Sequence, residues 1–301
     1  MISVVMCSHN PRPHYITRAI DALRLQTLDH AGWELIVIDN ASTRPLSELV
    51  DTRWNAAARI LREEKLGLTP ARLAGIRAAV GDVLVFVDDD NLLDPDYLAT
   101  VNEIAQSHGF LGAWSGSVKA EFEVQPPDWT YRYSTNLMIR EVTRDCWSNL
   151  YNDDATTPLG AGLCVRSSVA RLYLKLHDEG QRPRLLDRTG SSLLSGGDND
   201  LGACALDLGL GCGVMASLRV THLIPKERLA EDYLLQLVES IAYSSRIFLS
   251  LRSATRNGTP GRSLATAAAN ALRMARMNSR ERRFHRAVRR GEARAEAELG
   301  T

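Results

Sequence analysis

The chain has 301 residues, of which 45% are hydrophobic and 24% are charged, a composition that is ordinary for a globular protein. Its 36 basic and 36 acidic residues cancel to a formal net charge of zero, so no overall field attracts nucleic acid. Five cysteines without a CxxC pair predict reduced thiols rather than a disulfide framework or a zinc site, and no apolar run reaches the ~18 residues of a membrane span.

The first half of the chain alternates predicted strands with predicted helices. Strands are predicted at residues 2–6, 33–38, 59–64 and 83–87. Helical spacing follows the first three of them, at residues 16–23, 46–50 and 69–80. This alternation predicts an α/β fold with a mainly parallel sheet that has helices on both faces.

Three consecutive carboxylates, Asp88, Asp89 and Asp90, come directly after the apolar strand 83–87. They are predicted to lie in a short loop at the carboxyl end of a central strand, the edge where α/β sheets bind ligands. Because adjacent carboxylates repel one another, a compensating cation is expected, and hard oxygen ligands suit Mg²⁺ or Mn²⁺. The alternative interpretation is a solvated acidic turn.

Two further predicted strands also end in polar residues. Ser8 follows the first strand, and Asp39 follows the second. Right-handed crossovers align the carboxyl ends of parallel strands, so both side chains are expected to face the same crevice as the acidic loop. Three converging strand ends predict a binding site more strongly than any one of them.

The second half of the chain has a less regular pattern. Strands are predicted at residues 110–116 and 159–166, and an irregular excursion at 121–133. Helices are predicted at residues 96–107, 197–206 and 226–251. The sequence therefore predicts a mixed second half that ends in a helical extension.

The end of the chain changes in composition. Residues 257–261 are predicted to form a break or linker, and the tail after them is rich in arginine and poor in apolar residues. Two interpretations stay open for this basic tail. It is either a solvated helix or a surface helix that rests on anionic lipid or on a partner.

A set of short motifs, taken together and in order, resembles family 2 of the inverting glycosyltransferases, which have the GT-A fold. The amino-terminal motifs lie at residues 4–10, 37–42, 67–72 and 86–91. The later motifs lie at residues 160–162, 196–201 and 222–225, and residues 121–127 resemble a bacterial polysaccharide-biosynthesis branch of the family. The resemblance covers roughly residues 1–250.

The resemblance implies a division of the chain into two parts. Residues 1–225 would form the GT-A catalytic domain, and residues 226–301 a C-terminal helical extension with the basic tail. Within the catalytic domain, residues 1–110 would bind the nucleotide sugar and residues 111–225 the acceptor.

For the donor, the resemblance implies a set of nucleotide-binding residues: Ser8, Asn10, Asp39, Asn40, Lys65, Arg72, Asp88 and Asp89. Ser8 and Asp39 would hold the nucleoside, with Asp39 accepting a hydrogen bond from the nucleobase. Lys65 and Arg72 would contact the nucleotide or the acids, and Asp89 would face the sugar or the ribose. The structural alternatives are a strand-end hydroxyl for Ser8, a helix cap for Asp39, and surface cations at positions 65 and 72.

The resemblance also implies a divalent metal ion, Mn²⁺ or Mg²⁺, that would bridge to the diphosphate of the donor. Asp88 and Asp90 match the DxD pair of the family and would bind the ion, and His222 stands where many relatives supply a third ligand. The ion would stabilise the charge of the leaving diphosphate. The alternative interpretation of His222 is a structural histidine.

Asp198 matches the aspartate that the family uses as general base for the acceptor hydroxyl. Attack of the acceptor oxygen from the face opposite the nucleotide would invert the anomeric configuration. This sequence departs from the family pattern, because the acid that commonly precedes the base is Gly197. The base would therefore be Asp198 or Asp200, and the structural alternative is a pair of acids at a helix amino terminus.

The residues and the resemblance together predict an inverting, metal-dependent glycosyltransferase. It would move a sugar from a nucleoside-diphosphate donor to a glycan, a lipid-linked or another hydroxyl acceptor. Two other functions stay open, a non-catalytic nucleotide-sugar-binding subunit and a Mg²⁺-dependent nucleotidyltransferase. We expect a cytoplasmic protein without a nucleic acid partner, and leave open both an oligomer and a peripheral contact of the basic tail with the inner face of the membrane.

Overall fold

The computed structural model describes residues 1–151, 154–182, 186–190, 192–253 and 277–300. Within these residues nine strands form one sheet: β1 (Ile2–Ser8), β2 (Trp33–Asn40), β3 (Arg59–Glu63), β4 (Val83–Asp88), β5 (Asn91–Leu93), β6 (Leu111–Phe122), β7 (Cys146–Ser148), β8 (Leu163–Arg166) and β9 (Gly211–Ile224). The α-helices are α1 (Pro13–Arg24), α2 (Leu68–Ala78), α3 (Tyr97–Ser107), α4 (Ser167–Asp178), α5 (Gly197–Asp207), α6 (Glu231–Ser253) and α7 (Ser279–Leu299). Short 3-10 helices lie at His30–Gly32, Leu46–Glu48, Asp128–Leu137 and Lys226–Leu229.

The strands follow the order β3-β2-β1-β4-β8-β6-β9-β5 across the sheet, and β7 pairs with β9. The first four strands in this order are parallel, whereas β8 is antiparallel to both of its neighbours. The register places Ser8 beside Asp39 and Cys7 beside Asp88. The predicted α/β fold is confirmed, and its parallel half brings the polar strand ends to one edge of the sheet.

Side chains of the parallel strands alternate between two apolar cores, which explains why these strands are apolar without interruption. On one face, residues such as Val4 and Met6 pack against helices α1 and α3. On the other face, residues such as Val5 and Ile36 pack against α2, α4 and α5. Burial on both faces holds the strand ends, and therefore the polar residues at those ends, in fixed positions.

Several element predictions differ from the structure. The helix predicted at residues 46–50 is a single 3-10 turn, Leu46–Glu48. Strand β6 runs on to Phe122, into the excursion predicted at 121–133, because its second half pairs with β9 over Ser117–Phe122 and Arg219–Ile224. Periodicity within a segment does not reveal a partner strand that lies far away in the sequence. For this reason neither the length of β6 nor the existence of β9 was predicted.

The two C-terminal helices run parallel and are joined by ion pairs. Arg280 and Glu231 lie 3.0 Å apart near the start of both helices, and Arg290 and Glu239 lie 2.7 Å apart further along. Part of the positive charge of the basic tail is therefore compensated by α6. None of the helices in the described residues is long and apolar enough to cross a membrane. The linker predicted at 257–261 lies outside the described residues.

Helix α7 also packs against the 3-10 helix Asp128–Leu137. The ring of Phe284 stacks on Tyr133 with a centroid distance of 3.7 Å, and the guanidinium of Arg280 lies 4.5 Å from the ring centroid of Trp129. These aromatic residues join the apolar cluster that includes Leu234 and Leu237 of α6. The C-terminal helices and the central part of the chain therefore share one core.

Candidate active site

A cavity of about 330 Å³ lies at the carboxyl ends of β1 and β4. Its acidic lining residues are Asp88, Asp89, Asp90, Asp187 and Asp198. Its basic lining residues are Arg72, Arg188 and Arg228, which are joined by His9 and His222. Because opposite charges surround one cavity, it can hold an anionic ligand together with a cation, or exchange protons with a ligand.

Asp88 and Asp89, the first two acids of the loop after β4, have raised pKa values. Burial and the neighbouring Asp90 raise the pKa of Asp88. The same two causes raise the pKa of Asp89 to about 7, although its Oδ2 atom accepts a hydrogen bond from the hydroxyl of Ser8. A bound cation would reduce the repulsion among these carboxylates and would favour their ionised forms.

Asp90 is compensated within the chain by two neighbours. Burial alone would raise the pKa of Asp90, but His222 and Arg228 together hold it below its usual range. The guanidinium of Arg228 lies 2.9 Å from Asp90 Oδ2, and His222 Nε2 lies 3.5 Å from the same oxygen. Arg228 was not singled out by the sequence, where it stands six residues after His222 without a distinctive pattern.

The tautomer of His222 follows from its two partners. The guanidinium of Arg228 lies 2.9 Å from His222 Nε2, and a guanidinium can only donate. In the neutral ring Nε2 therefore accepts, and the proton on Nδ1 donates to the backbone oxygen of Leu137 at 3.1 Å. In the protonated ring both nitrogens donate, and the charge of that form lowers the pKa of Asp90. A histidine that donates from Nδ1 to a carbonyl, with its Nε2 lone pair turned toward a carboxylate, has the arrangement of many metal ligands.

The residues fit a divalent cation by ligand type, because carboxylates of Asp88 and Asp90 and an imidazole nitrogen of His222 suit Mn²⁺ or Mg²⁺. Arg228 now provides positive charge at the same two ligand atoms, on Asp90 and His222. Within the part of the chain that the structure describes, no group of three or more His, Cys, Asp or Glu residues is placed so that it could hold a metal ion.

Asp198 lies in the first turn of α5 and lines the cavity. Its side chain approaches Gly160 so closely that a Cβ atom on that glycine would lie 2.5 Å from Asp198 Oδ2. Burial raises the pKa of Asp198, whereas Arg72 lowers it. A buried carboxylate of raised pKa at the wall of a cavity has the properties of a general base.

Asp200, the alternative base, is held away from the cavity by two arginines. Its carboxylate lies 2.7 Å from Arg182 and 2.5 Å from Arg252. It is buried and does not belong to the cavity lining. Of the two aspartates left open by the sequence, the geometry favours Asp198 for chemistry in the cavity and gives Asp200 a structural part.

Of the two predicted nucleotide-binding residues at the end of β2, Asn40 lies at the cavity and Asp39 does not. Asn40 lines the cavity, while its side chain accepts from the Gly67 N–H at 2.8 Å and donates to the Lys65 backbone oxygen at 2.8 Å. Asp39 does not line the cavity. Burial opposes ionisation of Asp39, but hydrogen bonds from the backbone N–H groups of Ser42 and Leu46, with the charge of a nearby arginine, lower its pKa.

Asn10 and Lys65 also lie outside the cavity lining. Asn10 has a positive φ of 48° and accepts a hydrogen bond from the Thr43 N–H at 2.9 Å, which fixes the turn after β1. The backbone N–H of Lys65 donates to Glu63 Oε1 at 2.7 Å, and its side chain is exposed. Their predicted contacts with a nucleotide stay predictions.

Arg72 is brought into the cavity by α2, together with an acid that the sequence did not single out. Its guanidinium lies 2.9 Å from Asp187 Oδ2, and both side chains are buried. Although burial opposes its charge, Asp187 and then Asp198 raise the pKa of Arg72. Asp187 and Arg188 lie in an irregular polar segment that has no helical or strand periodicity, so the sequence pattern did not identify either residue as part of a site.

A comparison with protein families gives one match that spans more than half of the chain. The model of a family described as glycosyl transferase family 2 matches residues 3–177. The uncharacterized protein y4gI of Sinorhizobium fredii is 33% identical over 114 residues, which are 36% of this chain and 12% of that protein. The putative glycosyltransferase EpsH of Bacillus subtilis is 28% identical over 165 residues, 50% of this chain and 46% of that protein. The chain therefore spans less than half the length of these relatives.

Solved structures of TarS from S. aureus resemble this chain over nearly its whole length. The complex of TarS 1–349 with UDP-GlcNAc aligns with a TM-score of 0.54 and 16% identity, over 95% of this chain and 79% of that one. The complex with UDP aligns with a TM-score of 0.53 and 15% identity, over 98% and 82%. At these identities the likeness concerns the fold, and it confirms the fold class expected from the motifs.

Proposed function

The chain belongs to glycosyl transferase family 2, and from this membership we propose that it moves a sugar from a nucleoside-diphosphate donor to an acceptor hydroxyl with inversion at the anomeric carbon. The observation that carries the proposal is the cavity, where the buried carboxylate of Asp198 and a group of cations share one space. A base for the acceptor and positive charge for the leaving diphosphate are what this transfer needs.

A uridine nucleotide is the first donor to test, because TarS has been solved with UDP and with UDP-GlcNAc. We place the nucleotide at the carboxyl ends of β1, β2 and β4. Support comes from Ser8, Asn40, Arg72 and Asp88, all of which line the cavity at that edge of the sheet. This is also the edge at which α/β sheets bind ligands generally.

In the proposed step, the acceptor oxygen forms a bond to the anomeric carbon while the bond from that carbon to the diphosphate oxygen breaks. The electrons of the broken bond leave with the diphosphate, and the hydroxyl proton passes to Asp198. Because attack and departure occur on opposite faces of the sugar, the configuration inverts. Burial raises the pKa of Asp198, so its carboxylate is a stronger base than that of an exposed aspartate.

Arginine side chains around the cavity would stabilise the negative charge that the diphosphate gains. Arg72, Arg188 and Arg228 all line the space and are in place before the reaction. We propose that Asp88, Asp90 and His222 hold a Mn²⁺ or Mg²⁺ ion, which would act on the same charge as a Lewis acid. Arg228 would then have to release the ligand atoms of Asp90 and His222 that it now contacts.

The proposed acceptor is a hydroxyl group of a glycan or of a lipid-linked sugar, reached in the cytoplasm. Contact with an anionic membrane surface is proposed for α7, whose outer side exposes Arg282, Arg286 and Arg289. The pairing of Arg280 and Arg290 with α6 leaves these outer positions as the ones that face away from the core.

Nucleotide binding and donor turnover test the proposal without a known acceptor. UDP, GDP, TDP and CDP, each with and without Mn²⁺, are first compared for their effect on the melting temperature, which rises when a ligand binds only the folded state. The corresponding nucleotide sugar is then incubated with the protein, and release of the nucleoside diphosphate into water is measured. Asp198→Asn should keep nucleotide binding and lower the release about 10²–10⁴-fold.

The products distinguish the proposed function from its alternatives. Release of pyrophosphate from a nucleoside triphosphate that is supplied with a sugar 1-phosphate, in place of the nucleotide sugar, would indicate a nucleotidyltransferase. Nucleotide binding with no release, from the donor alone or with a panel of glycan and lipid-linked acceptors, would indicate a non-catalytic binding subunit. Turnover that is equal in the native protein and in Asp198→Asn would remove Asp198 from the role of base.

A further inference from the structure

Asp187 lies in the segment 186–190, and its carboxylate forms hydrogen bonds to both α2 and α5. Its Oδ2 atom accepts a hydrogen bond from the hydroxyl of Thr69 at 2.8 Å and from the guanidinium of Arg72 at 2.9 Å, both on α2. Its Oδ1 atom accepts from the backbone N–H of Gly197 at 3.1 Å, the first residue of α5. One buried side chain thus links α2, the segment 186–190 and the amino terminus of the helix that carries Asp198.

The same carboxylate fills the space that a side chain at position 197 would take. A Cβ atom built on Gly197 would lie 2.1 Å from Asp187 Oδ2 and 2.4 Å from its Cγ. These distances are far below any contact between non-bonded atoms, so position 197 must be glycine while Asp187 holds this place. The absence of an acid at position 197 and the position of the Asp187 carboxylate therefore depend on each other, because the two cannot occupy the same space.

We propose, on the basis of the function proposed above, that Asp187 is a positioning residue for Asp198 and Arg72. From its place beside Gly197 it supplies the carboxylate that position 197 lacks. It anchors the first turn of α5, so that Asp198 keeps its direction into the cavity. It also holds Arg72 by a direct ion pair, so that this arginine does not turn onto the base.

The electrostatics around Arg72 explain why the ion pair matters. After Asp187, the acids that act most strongly on Arg72 are Asp198 and Asp88. Without Asp187, a buried and uncompensated guanidinium would be drawn to one of these two carboxylates. A base engaged in such a pair is weaker and is turned away from an acceptor hydroxyl.

The segment around Asp187 has a second attachment to α2, which keeps Asp187 in register with it. The backbone N–H of Leu68, the first residue of α2, donates to the carbonyl oxygen of Arg188 at 3.0 Å. Arg188 also lines the cavity. Asp187 is thus held between α2 and the amino terminus of α5 by contacts within the chain.

An exchange of the carboxylate between the two positions tests the proposal. The variants are Asp187→Asn, Gly197→Asp and the double variant Asp187→Gly/Gly197→Asp, compared with Asp178→Ala, which removes an exposed acid that pairs with Arg77. Three quantities are measured for each full-length variant: the rate of nucleoside diphosphate release from UDP-GlcNAc, the Kd for UDP, and the hydrogen exchange of a peptide that covers residues 196–201.

We expect each single variant to lower the release rate about 10²-fold, the effect of misplacing a reacting group by about 1 Å. The Kd for UDP should rise by less, about tenfold at most, because Arg72 is also one of the proposed nucleotide contacts. Exchange in 196–201 should become faster in both. The double variant should recover at least about tenfold of the lost rate and return the exchange toward the native value. Asp178→Ala should match the native protein in all three measurements.

Two results would overturn the proposal. One is an Asp187→Asn variant with native rate and native exchange in 196–201. The other is a double variant that is no better than Gly197→Asp in either measurement, since the carboxylate would then not be interchangeable between the two positions. If the native protein binds none of UDP, GDP, TDP and CDP and releases none of them from the corresponding nucleotide sugar, the proposed function fails, and the exchange measurement still decides whether Asp187 anchors α5.

Discussion

At the scale of single residues, the direction of Asp198 depends on a glycine in another part of the chain. Gly160 precedes β8, and a Cβ atom at this position would lie 2.5 Å from Asp198 Oδ2 and 3.2 Å from its Cγ. The carboxylate can therefore lie against the backbone there only because position 160 has no side chain. Both residues line the same cavity.

Gly160→Ala should displace the carboxylate of Asp198 and lower donor turnover about 10²-fold, because a shift of about 1 Å in a reacting group has an effect of that size. The Kd for UDP should change little, since the nucleotide is proposed to lie at the carboxyl ends of β1, β2 and β4, and Gly160 is not one of its proposed contacts. The matched control is Gly109→Ala, where an added Cβ has no neighbour within 4 Å. Equal turnover in Gly160→Ala and Gly109→Ala would contradict this dependence.

The pKa of Asp198 gives a prediction for the pH dependence of turnover. A general base works in its deprotonated form, so the rate falls tenfold per pH unit below its pKa and is constant above it. Because burial raises this pKa above the value of ~3.9 for an ordinary aspartate, the acid limb should lie at a higher pH than an exposed aspartate gives. A profile of kcat/KM for nucleotide release, with circular dichroism at each pH to confirm folding, measures it. An acid limb at or below pH ~4 would contradict the assignment.

At the scale of elements, the packing of α7 on α6 depends on small side chains. Ala287, Gly291 and Ala295 are spaced four residues apart on α7, and all three are buried. A Cβ atom on Gly291 would lie 2.1 Å from the carbonyl oxygen of Glu239 and 3.0 Å from the backbone nitrogen of Tyr243, both on α6. The two helix backbones therefore approach each other closely at Gly291.

Gly291→Ala should destabilise the protein, although alanine is normally the better helix former by about 1 kcal/mol. The added methyl group has no room, and overpacking of this kind lowers the free energy of unfolding by about 1–3 kcal/mol. Gly202→Ala in α5 is the matched control, because a Cβ there meets only Ala113 at 3.9 Å and should stabilise the protein. Thermal unfolding of both variants provides the measurement, and a rise in Tm for Gly291→Ala would show that the helices are not closely packed at this point.

At the scale of the whole molecule, the charge balance of the cavity is set by residues from distant parts of the chain. Arg228 follows β9, and it contacts Asp90, which follows β4, at 2.9 Å. Its guanidinium thus places a positive charge at the atoms of Asp90 and His222 that are proposed to bind a metal ion. Binding of a metal and the present position of Arg228 are therefore expected to compete.

Replacement of Arg228 should reveal this competition. Arg228→Gln removes the positive charge at Asp90, so the affinity for Mn²⁺ in the absence of nucleotide should rise by about tenfold or more. The free energy of a tenfold change is a modest part of the interaction energy between two unit charges that lie ~4 Å apart. Binding can be followed by the loss of the electron paramagnetic resonance signal of free Mn²⁺. Arg53→Gln, at an exposed arginine that pairs with Asp51, should leave the affinity unchanged. The same affinity in all three proteins would show that Arg228 and the metal do not share ligand atoms.

Removal of the metal gives a separate prediction for the whole enzyme. If the ion supplies part of the stabilisation of the leaving diphosphate, then EDTA should lower nucleotide release, and Mn²⁺ or Mg²⁺ should restore it. Persistent turnover in excess EDTA would indicate that Arg72, Arg188 and Arg228 stabilise the leaving group without a metal ion.

Features that depend on neighbouring residues could be predicted from the sequence. The uninterrupted apolar run 83–87 predicted a strand buried on both faces, and β4 covers Val83–Asp88. The glycine-led acidic segment from 196 predicted the start of a helix, and α5 begins at Gly197. Both features can be predicted locally, because burial on two faces and helix initiation depend on the types of consecutive side chains.

Which of the predicted site residues meet depends on the tertiary structure. Asp198 lies at the cavity, whereas Asp200 pairs with Arg182 and Arg252, a difference in position that the two acids in the sequence do not reveal. The tertiary structure also places Asp187 beside Gly197 and Arg228 beside Asp90. The physical reason is that these contacts join residues from separate elements, whose positions are fixed by the pairing and packing of the sheet and not by the pattern within any one segment.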